Sequence, residues 1–262
     1  MRRIEVFVAG AQKGGTTTMH AYLRQHPALS PPSQKELHVF YNEALDWFRP
    51  ADIQIDRFYG AEDEGRMRFD ATPIYSFWQP SLRRIRAYNP DAKLIFLFRD
   101  PFARAWSHWC MEYARGADTM PFAKAIREGR RRMSPQDPLG QAMRVYSYVE
   151  RGYYARQVIR ALSLFPRENL LFLKSEDFAY DHMATLNRIA DFLRIDAFSY
   201  MSELRENARP AVAYPSVPTM ADRALVQAEL AQDIAAFACL TGLDVREWDG
   251  TVDMPALPVA AE

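Results

Sequence analysis

The stretch Ile4-Glu-Val-Phe-Val-Ala-Gly-Ala-Gln-Lys-Gly-Gly-Thr-Thr-Thr18 decides the fold. Ile4 to Ala9 is a short apolar, β-branched run, the pattern of a buried strand. Gly10 to Gly15 holds three of the chain's 11 glycines in one turn. Thr16 opens a helical pattern that Pro27 stops. Strand, glycine turn and helix in that order open an α/β nucleotide site. Backbone N–H groups in such a turn converge on one point, and the helix N-terminus adds its dipole, so that point suits a phosphate. Lys13 reaches the same anion with its ammonium group, and the hydroxyls of Thr16, Thr17 and Thr18 donate to it. Gln12 to Thr18 is thus the first candidate binding segment.

Working outward, Lys93 to Phe98 (KLIFLF) is the strongest strand, apolar on both faces as central parallel strands are. A helix follows it, with Pro101 near its first turn and Gly116 at its end. Residues 35–41 (KELHVFY) read as a short strand or extended segment, 66–70 as another strand, 78–88 as a helix. Residues 119–165 carry helical patterns broken at Ser134-Pro135 and Asp137-Pro138. Asn169 to Lys174 is a further buried strand, and 182–195 and 219–240 read as helices. Residues 200–218 form an irregular segment. The alternation predicts a doubly wound α/β fold, a single domain over residues 1–250 with a parallel sheet flanked by helices. Residues 251–262 read as a mobile C-terminal tail.

Composition narrows the function. The 262 residues carry 33 Lys+Arg and 33 Asp+Glu, a net charge of zero. A generic binder of nucleic acid polymers would show a basic excess. No N-terminal run is long enough for a membrane span, and no signal-peptide cleavage pattern follows it. Two cysteines, Cys110 and Cys239, build neither a disulfide framework nor a metal cluster and point to a reduced, cytoplasmic setting. His20, His26, His108 and His182 are scattered and set up no metal site. Oligomeric state is not legible.

The phosphate loop is not the standard NTPase form, in which Lys directly precedes Ser/Thr. Lys13 comes three residues before Thr16, and no Lys-Ser/Thr pair exists. A P-loop nucleotide kinase would lack its gripping Lys. The Lys-x-Gly-Thr-Thr pattern instead resembles the 5′-phosphosulfate loop of sulfotransferases that use 3′-phosphoadenosine 5′-phosphosulfate (PAPS). That family's second mark is a strand followed by R-[DN]-P-x-x-R-x-x-S. Here KLIFLF leads into Arg99-Asp100-Pro101-Phe102-Ala103-Arg104-Ala105-Trp106-Ser107. Arg99 leaves the carboxyl end of a strand and can fork onto a phosphate, with Ser107 donating to the same oxygens.

The chain from Ile4 to about Trp248 thus looks like a PAPS-dependent sulfotransferase, nearer the heparan-sulfate-like and bacterial relatives than the phenol and steroid enzymes. Lys35-Glu36-Leu37-His38-Val39-Phe40 is similar to the family's K-E-x-H-F-F, and Thr72-Pro73-Ile74-Tyr75 to its T/S-P-x-Y. Arg151-Gly152-Tyr153-Tyr154 resembles a segment that lies beside the nucleotide in relatives, which puts Tyr153 in the cofactor set. The chain departs from the family at Ala71, where heparan 3-O enzymes tend to carry Lys. It also lacks the late Lys-Gly-Arg loop, for which Arg209, in the corresponding irregular stretch Asn207-Ala208-Arg209-Pro210, is a candidate substitute, and the disulfide near that loop.

The resemblance implies transfer of a sulfuryl group from PAPS, leaving 3′-phosphoadenosine 5′-phosphate (PAP), to a hydroxyl or amine of a carbohydrate, glycosylated or lipid-like acceptor, with no metal. Lys13 is expected to stabilise charge on the leaving oxygen. Glu36 is the first choice of base, His38 its rival because its free pKa of about 6.5 suits neutral pH, and Asp70 a third. An extended 35–41 would put Glu36 and His38 on one face with Lys35 opposite. Lys35, Asp70 and Tyr75 are the acceptor-side candidates. Arg130-Arg131-Arg132 reads as a solvated helix end, or alternatively as an anionic-acceptor patch. Trp106, Trp109, Tyr146 and Tyr148 read as core before acceptor platform. A non-catalytic nucleotide-binding protein is the remaining alternative.

Overall fold

Strand β1 (Val6–Gly10) is buried along its whole length, which requires apolar side chains on both faces. Period two does the sorting. Val6 and Val8 join a core with Met19, Leu23, Leu186 and Ile189. Phe7 points the other way and meets the edges of Phe40 and Tyr75 at ring distances of 5.4 and 6.4 Å. Strand β4 (Lys93–Phe98) repeats this, with Ile95 and Leu97 in the first core and Phe96 and Phe98 stacked on the opposite face.

A computed structural model describes residues 2–49, 53–60, 65–133, 137, 140–204 and 212–249. The expected tail at 251–262, the helix breaks at 134–136 and 138–139, and Arg209 lie outside these residues. Five parallel strands form the sheet, in the order β2 (Leu29–Ser30), β3 (Met67–Asp70), β1, β4 and β5 (Leu170–Lys174). This is the α/β parallel architecture that the alternation predicts. Helices α1 (Thr16–Leu23), α2 (Gln79–Tyr88), α7 (Ser175–Tyr180) and α8 (His182–Leu193) connect or follow these strands.

Contacts group the chain into two compact units, Met1–Arg99 with Gln157–Asn207 and Asp100–Arg156 with Ala208–Glu262. The first holds the sheet. The second holds α3 (Pro101–Ala114), α4 (Phe122–Arg132), α5 (Gln141–Tyr146) and α9 (Met220–Thr241), and α6 (Tyr154–Leu164) begins in it. Asp100 starts α3 by accepting from the N–H groups of Phe102 and Ala103, and Arg223 of α9 pairs with its carboxylate at 3.0 Å. Thr219 and Asp222 close a capping box at the head of α9. Trp106 and Trp109 stack 4.9 Å apart inside this unit and Tyr148 is fully buried, so these aromatics are core, as expected. Arg130 pairs with Glu150 and Glu229, and Arg132 with Asp118, which commits these two to their own unit's carboxylates.

The segment 35–41 departs from expectation. It is neither strand nor extended: Glu36 and His38 are both left-handed, at φ 57° each. Tertiary hydrogen bonds hold it there. The Leu37 N–H donates to buried Asp70 at 3.3 Å and the Phe40 N–H to the Tyr75 hydroxyl at 3.4 Å.

Candidate active site

The first loop is fastened to the neighbouring strand. The Ala11 N–H donates to the Leu97 carbonyl and the Gly14 N–H to the Ala11 carbonyl, each at 2.9 Å. This brings Gly14 so close to β4 that a Cβ would stand 2.2 Å from the Leu97 oxygen. Lys13 and Gly15 both take left-handed backbone, at φ 70° and 95°. Left-handed residues beside right-handed ones turn successive N–H groups toward one side, the nest that binds anions. Gly15 is also the N-cap of α1, whose first-turn N–H groups lack intrahelical acceptors. Gln12, Lys13, Thr17 and Thr18 are half-buried, and Thr16 is buried.

The loop sits where the chain order of the sheet reverses. From β1 the chain runs out to β2 and β3 on one side, then crosses to β4 and β5 on the other. Ligands of open α/β sheets bind beyond the carboxyl ends of the strands at such a switch. Arg99 leaves the end of β4 and its Nη1 reaches the Lys13 backbone carbonyl oxygen at 3.5 Å, so the second motif touches the phosphate loop. Ser107 lies half-buried on the second turn of α3, within the second unit. Arg104, the other arginine of that motif, is fully buried and donates to the Tyr148 carbonyl, a structural role. Tyr153 donates to Glu229 at 3.0 Å, with Arg156 over its ring.

The segment after β2 presents Glu36 between two nitrogens. Lys35 Nζ lies 2.5 Å from Oε1 and His38 Nε2 lies 3.8 Å from Oε2. Lys35 therefore does not point away from Glu36, because the left-handed backbone abolishes the period-two alternation. His38 Nδ1 meets the Tyr41 hydroxyl at 3.1 Å. Behind this row Asp70 accepts from Thr72 and Tyr75 at 2.8 Å each, and from Leu37. Burial pushes the Asp70 carboxyl up to about 6, the three hydrogen bonds opposing and the nearby Glu36 charge adding to the rise. Asp70 and Tyr75 are completely enclosed, so they hold the Glu36 segment from beneath and do not offer surface to an acceptor.

His20, one turn into α1, is the residue that motif reading passes over. It is 8% exposed, packs against Phe69 at 5.4 Å, and its Nε2 has no hydrogen-bond partner among the described residues. Burial, then the cations Lys35 and Arg24, push its imidazole down to about 4, so it is neutral at pH 7. That field links the helix of the phosphate loop to the Lys35–Glu36 pair. The other scattered histidines are structural: ring nitrogens of His26, His108 and His182 lie 3.0, 3.2 and 2.8 Å from carbonyl oxygens.

With this geometry in view, the comparisons agree on a class. The sulfotransferase domain model matches residues 3–233, and the chain belongs to that family. It is 30% identical over 196 residues to heparan sulfate glucosamine 3-O-sulfotransferase 6 of Mus musculus, covering 72% of this chain and 52% of the relative. It is 27% identical over 216 residues to the human bifunctional heparan sulfate N-deacetylase/N-sulfotransferase 2, covering 76% of this chain and 23% of that protein. The chain thus spans about half or less of the length of these curated relatives. A crystal structure of a sulfotransferase from Alicyclobacillus acidocaldarius superposes with a TM-score of 0.75 at 24% identity, covering 95% of this chain and 99% of the other, and shares the fold.

Proposed function

We propose that this chain moves a sulfuryl group from PAPS to a hydroxyl or amine of a carbohydrate, glycosylated or lipid-like acceptor. One observation carries the reading: a nest with its own lysine, joined to Arg99 at the switch point of the sheet, is a site for a ligand with more than one anionic group. The donor set fits such a nucleotide, since the Gly15 N–H has no protein acceptor among the described residues and Lys13 and Arg99 supply cations. The family membership and the heparan sulfate relatives support sulfuryl transfer and a glycan-type acceptor.

Bound PAPS supplies the sulfuryl group, whose sulfur takes the acceptor's lone pair as its bond to the 5′-phosphate oxygen breaks. Lys13 and the head of α1 stabilise the negative charge that grows on that oxygen. Arg99 holds the 3′-phosphate. Glu36 takes the acceptor proton. A carboxylate is a weak base toward an alcohol, so it acts late, once the new sulfur–oxygen bond has acidified the hydroxyl. Lys35 and His38 flank Glu36 and fix its carboxylate.

Labelled PAPS offered with an N-sulfated heparan oligosaccharide and with simpler alcohols, beside PAP calorimetry, tests the reading. The expected result is PAP binding, label transfer to a hydroxyl or amine, and no transfer by Glu36→Gln at unchanged PAP affinity. Failure to bind PAP overturns the reading. Near-normal turnover by Glu36→Gln moves the base to His38.

A further inference from the structure

The peptide between Gly14 and Gly15 sits in the middle of the phosphate loop and has a permissive residue on each side. Rotation of that peptide plane changes only a glycine ψ and a glycine φ, so its two orientations differ little in intrinsic energy. They differ greatly for an anion. In a trans peptide the carbonyl and the N–H point in opposite directions. One orientation offers the mouth of the loop a donor, and the other offers it the negative end of a carbonyl.

Ser175 decides between them. It stands at the end of β5, where Lys174 is in register with Phe98 of β4, and it opens α7. Its hydroxyl donates to the Gly14 carbonyl oxygen at 2.7 Å. Its Oγ also lies 3.4 Å from where a Cβ on Gly15 would stand, so the contact closes the loop from outside. With the carbonyl held by Ser175, the Gly15 N–H points away from β5, and no protein acceptor among the described residues takes it. The same loop is held from β4 through Ala11 and Leu97, but those bonds fix the peptides at 11 and 14, not the orientation of the Gly14–Gly15 plane.

We propose that Ser175 is a positioning residue of the phosphate loop, and that by holding the Gly14 carbonyl it aims the Gly15 N–H at the 5′-phosphosulfate end of the donor. This rests on the PAPS reading of the site. Ser175 does not touch the donor; it sets the direction of a group that does. Neither of the two sequence motifs contains it, and it lies 161 residues from its partner.

PAP calorimetry on wild type, Ser175→Ala, Ser175→Thr and Ser175→Val tests this, because Thr and Val share a shape and differ in the hydroxyl. Loss of one hydrogen bond that orients a donor is worth about fivefold in affinity. The Ala and Val variants are expected to bind PAP about fivefold more weakly, and Thr within about twofold of wild type. The Gly15 amide resonance should shift on adding PAP to wild type and Thr, and respond less in Ala and Val. PAP binding by Ser175→Val equal to that by Ser175→Thr would overturn the inference, whether or not the Ala variant folds. A wild type that binds no PAP overturns the PAPS reading itself, whereas PAP binding indifferent to the hydroxyl removes only the role of Ser175.

Discussion

Asp70→Asn probes the support beneath Glu36 through the pH dependence of folding. The unfolded carboxyl releases its proton near 3.8 and the buried one near 6. Between these values the unfolded chain binds fewer protons than the folded chain, so stability falls as pH rises through the window and stays down above about 6. At about 1.4 kcal/mol per pH unit, the full loss is on the order of 3 kcal/mol. Asn does not titrate and carries no such slope. It also disturbs the bonds from Thr72, Tyr75 and Leu37, but that cost is nearly independent of pH and cancels in the slope. Urea unfolding of both proteins between pH 4.5 and 7.5 reads the difference. The stability of the Asn variant relative to wild type should rise by about 2 kcal/mol across that range, since part of the window lies below it. Parallel profiles, within about 0.5 kcal/mol, would refute the argument that Asp70 ionises against its burial.

Gly14→Ala should destabilise the protein by about 1–3 kcal/mol and abolish PAP binding, because its Cβ would meet the Leu97 and Ala11 carbonyl oxygens at 2.2 and 2.9 Å; thermal melts and calorimetry check both. His20→Phe should resist acid better than wild type. His20 titrates near 4 when folded and near 6.5 when unfolded, so wild type loses stability as pH falls from about 6.5 toward 4, and Phe does not; melts at pH 7 and 5 compare them. Arg99→Ala should weaken PAP about tenfold to hundredfold, read by calorimetry, as expected for loss of a charged donor to phosphate. Lys13→Ala should lower kcat by about a hundredfold or more, read in the labelled-PAPS assay.

The elements legible in the sequence are those whose reasons are local. KLIFLF is β4 residue for residue, because after the half-buried Lys93 every step is buried and therefore apolar. The glycine turn and the helix start at Thr16 were equally plain. The two-residue β2 carries too little pattern to register. The 35–41 segment defeats local reading for another reason. Its backbone is set by Asp70 and Tyr75, more than 30 residues away, and two non-glycine residues in left-handed backbone have no periodicity to detect. Motif matching found Glu36, His38 and Lys35 but not that Asp70 is enclosed, since an acidic residue is ordinarily read as surface. His20 carries no motif at all, and only its burial beside charged neighbours marks it.

The strand order has a consequence for how such a protein can change. The segments that follow β1, β4 and β5 carry the phosphate loop, Arg99 and Ser175, whereas the segment that follows β2 carries Lys35, Glu36 and His38, and the end of β3 carries the Asp70 support. Under the proposed function, donor handling and acceptor handling fall on opposite flanks of one sheet, with β1 as the seam. Under that proposal, insertions or replacements after β2 would recast what the protein accepts while the phosphate loop is left untouched. The constraint falls on the seam itself: Phe7 of β1 packs beneath Phe40 and Tyr75 on the acceptor flank, and Lys13 follows three residues after the same strand. A graft of the acceptor flank onto another sheet of this order should succeed only if the aromatic contact to β1 travels with it.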